Sequence, residues 1–290
     1  MTQPISRPRP GGKLGKLPAQ PGRPHLKLTP TLGQLPDPPA EVDNGAGQYP
    51  MYANDHLGDC VEAGLGHQVG QYTRVSSGTE VLFSDDQIIA AYSAITGYTP
   101  GDENTDEGTY TQDAMTWWRK TGLEGHKIVL FASIRLTDVK ALKQAIWAFG
   151  GVGIGFNFPA YAMDQFNAGQ PWDVQRQNAQ IEGGHYVLAT GYDEKYLNVK
   201  TWGAEQEMSW AFLAKYADEA WVVLTEEMVG AAGSFLPGVD LYGLGEDFSQ
   251  LTGQSNPFPE PAPAPTPVPD GPSGAEVASA VRSVLTELGV

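Results

Sequence analysis

The chain is short of several things. Among 290 residues there is one cysteine, Cys60, so no internal disulfide can form. Cationic residues are also scarce: 18 Lys and Arg stand against 34 Asp and Glu, a formal charge of −16. That balance argues against a nucleic-acid-binding surface over the main body. Long hydrophobic runs are missing as well. The most apolar stretch, IWAFGGVGIGF at 146–156, is too short to span a bilayer and is broken by glycine. The first residues carry no apolar core of a secretory signal, because proline interrupts them every few positions. One thiol without an export signal points to a reducing compartment, cytoplasmic or virion-associated. Proline is sparse in the middle: ten of 23 lie in residues 1–39 and eight in 256–272, leaving five between.

What is present follows that map. Residues 1–39 form a basic, Pro/Gly-rich arm, expected to be extended. Residues 1–36 hold Arg7, Arg9, Lys13, Lys16, Arg23 and Lys27 and no acid, so the rest of the chain carries 12 basic against 34 acidic residues. This polarity suits docking, and a solvated tail is the plain alternative. One globular domain is expected over 40–235, with seven Trp and twelve Tyr in the whole chain to build a core. Residues 236–272 read as a linker, a stiff proline spacer from 256. In 273–290, Val277, Val281, Val284 and Leu288 give one apolar stripe of a short helix that needs a partner.

Within the domain, helices are predicted at 60–75, 84–97, 109–123 and 137–150, with Ser84 and Thr137 as caps and Gly97 and Gly122 as stops. The signal then changes. GVGIGFNF, HYVLATGYD, YLNVKTWG and AWVVLTE are short β-branched and aromatic runs separated by Gly and Asp. Helices first and strands second indicate α+β rather than an alternating parallel sheet.

Cys60 follows Gly58-Asp59 at the start of a helix, where the helix end favours thiolate. His185 opens a strand after two glycines and offers a base. The plain alternatives are a buried apolar Cys and a strand-edge His satisfied by backbone. His67 lies seven residues after Cys60 on the same helical face but about 10 Å along the axis, too far to be the base, and His56, a minor contender, lies in the preceding loop. The acidic loop 101–113 has Asp102, Asn104 and Asp106 at alternate positions. Its Gly108 comes one place late and no bidentate Glu follows, so no metal is assigned. No cofactor is implied, and the glycines of GGVGIGF follow a helix and enter a strand, the reverse of a dinucleotide fingerprint.

At these residues the chain resembles the papain-like cysteine peptidases, as a divergent, bacterial or phage-type member. That family's nucleophile motif sets a Gln six residues before the Cys and Cys-Gly-Ser immediately before it. Here Asn54 lies six before Cys60, preceded by Leu57-Gly58-Asp59. Its histidine motif is similar to His185-Tyr186-Val187 with Gly191-Tyr192, and its Asn-Ser-Trp-Gly to Lys200-Thr201-Trp202-Gly203. PAEVD at 39–43 is similar to the Val-Asp motif near the mature N-terminus, and FSDDQIIAAY occupies the place of the Ser-Glu-Gln-Glu-Leu helix.

The resemblance covers residues 39–225. It implies an α+β fold with a helical half, an antiparallel β-sheet half, the site in the cleft between them, and extended tails outside. It implies Cys60 as nucleophile, His185 as general base, the Cys60 N–H and the Asn54 side chain as oxyanion hole, Gly58 in support, and Trp202 as a shield over the His. The chain departs from the pattern in four ways. Asn54 is one methylene shorter than Gln, and Asp59 places an anion beside the nucleophile. Leu57 and Val61 replace a Cys and an aromatic. The residue that should orient His185 falls to Thr201 or to Lys200.

The implied activity is peptide or amide hydrolysis through an acyl-enzyme, on a peptide or protein substrate. The competing reading is a catalytically inactive papain-like docking subunit of a bacterial or phage particle. On that reading residues 1–39 and 273–290 bind an assembly partner; neither nucleic acid nor membrane is expected for the body. The arm is unlike the family's long helical propeptide, so zymogen control is not expected.

Overall fold

The computed structural model describes residues 11–175, 178–230 and 236–260. The expected C-terminal helix over 273–290 lies outside the described residues, as do Arg7 and Arg9. One compact unit runs to Phe258. Eight strands form one sheet: β1 (Leu26–Lys27), β2 (Val42–Asp43), β3 (Ile128–Ser133), β4 (Val152–Pro159), β5 (Ile181–Tyr192), β6 (Tyr196–Thr201), β7 (Ala204–Ser209) and β8 (Ala217–Thr225). Their order is β1-β3-β8-β4-β5-β6-β7, with β2 paired to β5. Only β1 and β3 run parallel. Every other pairing is antiparallel. The α+β expectation holds.

The helices are α1 (Cys60–Ser77), α2 (Asp85–Thr96), α3 (Thr111–Lys120), α4 (Val139–Phe149), α5 (Tyr161–Asn167), α6 (Trp210–Tyr216), α7 (Glu226–Gly230) and α8 (Leu241–Thr252). Local chemistry sets their ends. Ser84 and Gln87 close a reciprocal capping box on α2, and Gly97 ends it in the left-handed conformation. Asp138, not Thr137, caps α4 by accepting from the Ala141 N–H. α1 is buried on all sides from Cys60 to Thr73, as a helix must be when it fills the middle of a domain. It packs across β5, so the first turn of α1 meets the start of the strand that carries His185.

Two expectations are corrected. Residues 236–272 are not all linker, because α8 forms there with Asp240 as N-cap and Gly253 as C-cap, burying Leu244 and Phe248. Gly243 and Gly245 within the run hide its helical periodicity in the sequence. The described part of the arm is extended apart from a 3-10 turn at Thr29–Leu32, and it is bonded to the body along its length. Leu26 and Lys27 pair with Ala132 and Ser133 of β3, α8 packs against β1, and Leu28, Leu32 and Leu35 enter the core. Among the described residues no helix is long and apolar enough to cross a membrane.

Candidate active site

The loop before α1 is wound tightly. Tyr52 and Ala53 are both left-handed, at φ 55° and 65°, a costly conformation for residues with a Cβ. The winding turns Asn54 toward the cleft, where its Nδ2 donates to the Leu57 carbonyl at 2.9 Å. Gly58 and Asp59 follow, and Cys60 begins the helix. As the first helical residue, Cys60 has an N–H with no intrahelical acceptor. Across the cleft, β5 brings His185, and Thr201 ends β6. Trp202 and Gly203 form a two-residue hairpin turn, both left-handed at φ 46° and 67°, as type I′ turns require. That turn lays the Trp202 indole on the His185 ring, with centroids 4.2 Å apart and planes 24° from parallel.

Thr201 Oγ1 lies 2.6 Å from His185 Nε2. Lys200 points elsewhere: it pairs with Glu205 and lies over the Tyr49 ring. The Thr201 hydroxyl thus holds Nε2, and Nδ1 is buried with no hydrogen-bond partner among the described residues, Cys60 included. Phe156, Phe158 and Trp172 surround the ring edge-on. Burial among these aromatics pulls the imidazole down to about 3. Burial pushes the Cys60 thiol up to about 12, although the Tyr186 and Gly15 backbone groups pull the other way. The closed site thus holds a protonated thiol and a neutral imidazole.

Asp59 does not face solvent. It is fully buried, and desolvation, with Glu62 nearby, raises its carboxyl to about 9. Near neutral pH it is uncharged, which removes the repulsion the sequence suggested. Burial likewise lifts Glu62 to about 8, against a hydrogen bond from Thr109. His67 is a core residue bonded to the Pro50 carbonyl and lowered to about 4 by burial. His56 is exposed beside Asp55. Among the described residues no group of three or more His, Cys, Asp or Glu could hold a metal.

The residues that sequence reasoning missed belong to the arm and to what it touches. Residues 11–17 lie along the cleft as an extended peptide. The Lys13 N–H donates to the Asn54 carbonyl at 2.7 Å, and Asn54 Nδ2 returns a bond to the Lys13 carbonyl at 3.1 Å. Gly15 and Lys16 both donate to the Gly184 carbonyl, at 3.2 and 3.1 Å. Thr109 donates to Gly15 and accepts from Leu17. Lys13 Nζ meets Asp106 Oδ2 at 2.5 Å. At Gly15 the approach is so close that a Cβ would stand 1.7 Å from the Gly58 carbonyl oxygen. Residues 11–17 form no helix and lie against the loop that carries Asn54 and Gly58. The Gly-Gly-Lys-Leu-Gly-Lys run was the available signal, since only glycines can pass this close.

No family model matches the sequence, and no curated protein matches it. Solved structures do. Xylellain, a cysteine protease from Xylella fastidiosa, superposes with a TM-score of 0.59 at 16% identity, over 77% of this chain and 99% of that one. A procathepsin B from Trypanosoma congolense superposes with a TM-score of 0.55 at 11% identity, over 73% and 86%. The chain has the papain-like cysteine protease fold. Within this fold the first turn of α1 carries Cys60, the loop before it Asn54, and β5 His185. Val42–Asp43 pairs with Tyr192 and Gly191 of β5, giving the Val-Asp motif a structural place.

Proposed function

We propose that the chain is a cysteine-dependent peptide or amide hydrolase whose cleft is closed by its own N-terminal arm. The observation that carries this is the His185 ring held by Thr201 through Nε2, covered by Trp202, and left with an unpartnered Nδ1. In the open cleft, Cys60 passes its proton to Nδ1 and Sγ attacks the scissile carbonyl. The oxyanion is met by the Cys60 N–H and Asn54 Nδ2, whose place as a carbonyl donor the arm illustrates through Lys13. His185 then protonates the leaving nitrogen, and water resolves the thioester.

The arm's polarity fits a blocking role. The leaving group must reach His185, so a productive peptide runs with its C-terminal half toward Trp202. The arm runs the other way: Gly12 packs on Trp202, while Lys16 and Leu17 lie at the Gly184 and Thr109 end.

The full-length Gly15→Ala variant, which cannot seat its Cβ against Gly58, tests the reading. Hydrolysis of fluorogenic peptide amides by this variant, abolished by adding Cys60→Ser, is expected. A variant whose Cys60 alkylates rapidly yet cleaves no peptide in a broad library sinks it. That result would favour the inactive docking subunit, a reading motivated by the raised thiol and the sealed cleft.

A further inference from the structure

Among the described residues, Lys16 is the arm's one buried cation. It is 3% exposed, an unusual place for a lysine unless it is paired. Its Nζ lies 2.9 Å from Asp218 Oδ2 and 3.4 Å from Glu219 Oε1, and donates to the Leu17 carbonyl at 3.1 Å. The receiving pocket is built rather than incidental. Glu219 is fixed through both oxygens, by Thr111 Oγ1 at 2.6 Å and by Trp221 Nε1 at 3.0 Å. Asp218 also accepts from the Ala19 N–H, and its Oδ1 is buried without a partner among the described residues. The lysine stem crosses β4 at Gly155, where a Cβ would stand 2.1 Å from Lys16 Cε. A side chain there would close the pocket.

We propose that Asp218 and Glu219, reached over Gly155, form the specificity pocket of the hydrolase and take a lysine or arginine side chain from the acyl side of the substrate's scissile bond. This rests on the hydrolase reading above. When the arm leaves, two adjacent carboxylates lose their cation. An apolar substrate side chain would bury them unpaired, whereas an ammonium or guanidinium restores the pair. A cavity of about 220 Å³ adjoins the same carboxylates, walled by Gln112 and Trp221 of the body and by Ala19, Gln20 and Pro21 of the arm. The acyl-side assignment follows from chain polarity: the leaving half lies at Trp202, and Lys16 enters at the opposite, Gly184 end.

Binding separates this claim from catalysis. Fluorescein-labelled peptides differing only at the acyl-side residue (Lys, Arg, Leu or Glu) are titrated by anisotropy into full-length Gly15→Ala/Cys60→Ser. Lys and Arg peptides are expected to bind at least about tenfold tighter than Leu and Glu peptides, and adding Glu219→Gln should cut that to roughly threefold or less. Equal binding of Lys and Leu peptides overturns the pocket. A Lys preference in binding with no cleavage by Gly15→Ala leaves the pocket standing and overturns the hydrolase.

If Gly15→Ala does not fold, the arm itself serves as the ligand. In the full chain, Lys16→Arg should keep Cys60 alkylation within about threefold of wild type. Lys16→Leu should raise it at least about tenfold. Equal rates for the two variants overturn the proposal.

Discussion

A single hydroxyl holds the His185 imidazole, where a papain-like site would place an amide. Thr201→Val keeps the shape and leaves Nε2 unpaired inside an aromatic box. In the Gly15→Ala background, kcat/KM should fall by roughly 10- to 100-fold, part of the 10²–10⁴ that general acid–base catalysis supplies. Thr201→Ser should restore most of it, and a pH–rate profile separates lost orientation from lost folding. Asn54→Ala should cost more, about 10²–10³ in kcat.

Asp59 makes a different residue-scale prediction. Its carboxyl titrates near 9 when folded, against an ordinary 3.8, so the folded chain holds a proton that the unfolded chain releases. Stability is therefore lost as pH rises from about 4 toward 9. Asn mimics the protonated carboxyl at every pH. The melting temperature of Asp59→Asn should accordingly exceed wild type by a margin that widens between pH 5 and 8. A constant margin would mean that Asp59 is charged in the folded state.

At the scale of elements, α8 has the clearest mechanical consequence. Its Leu244 and Phe248 close over the body, it packs on β1, and the Asp240 N–H at its start bonds the Thr31 carbonyl of the arm. Arg119 lies over the Phe248 ring at 5.4 Å. Phe248→Ala should destabilise the chain by about 3 kcal/mol, measured by urea unfolding, and should speed Cys60 alkylation because the arm loses an anchor. A large stability loss with unchanged alkylation would make α8 a core element without a hold on the arm.

Elements with plain local signals were legible in the sequence: the Ser84 cap of α2, the glycine stops, and the β-branched and aromatic runs of β5 and β6. β3 and β7 were not, nor were α5 and α6, because short runs such as AEQEMS and YAMDQFN carry neither period strongly. Order and spacing made the fold legible at Asn54, Cys60, His185 and Trp202, and the stacking of Trp202 on His185 followed the expected shield. Thr201 against Lys200 was not, because two adjacent strand residues point to opposite faces and the register had to be seen. Asp218, Glu219 and the arm contacts join residues about 200 positions apart in sequence, a pairing without a local signature.

For the molecule as a whole, the basic arm and acidic body are a single device. The arm is pinned at one end by β1 and α8 and laid through the cleft at the other, with Lys13 and Lys16 on Asp106, Asp218 and Glu219. Burial is the first cause of the raised thiol, while the Gly15 backbone of the strap pulls the other way; opening the cleft to water should lower the Cys60 pKa. At pH 7 a thiol near 12 is thiolate in only about one molecule in 10⁵, and one near the free value of ~8.5 in a few per cent. Wild-type Cys60 should therefore alkylate slowly until pH exceeds about 9. Gly15→Ala should react at least about a hundredfold faster at pH 7, with a profile shifted to lower pH and dependent on His185.

Because the arm lies with reversed polarity, release should not require cutting it. Intact mass of Gly15→Ala should remain that of the full chain while the thiol becomes reactive. Appearance of a fragment starting within residues 12–17, dependent on Cys60, would show that the arm is a substrate rather than a plug. A wild-type profile already matching a free thiol would mean the strap does not seal the cleft in solution, and the latency argument would fall with it.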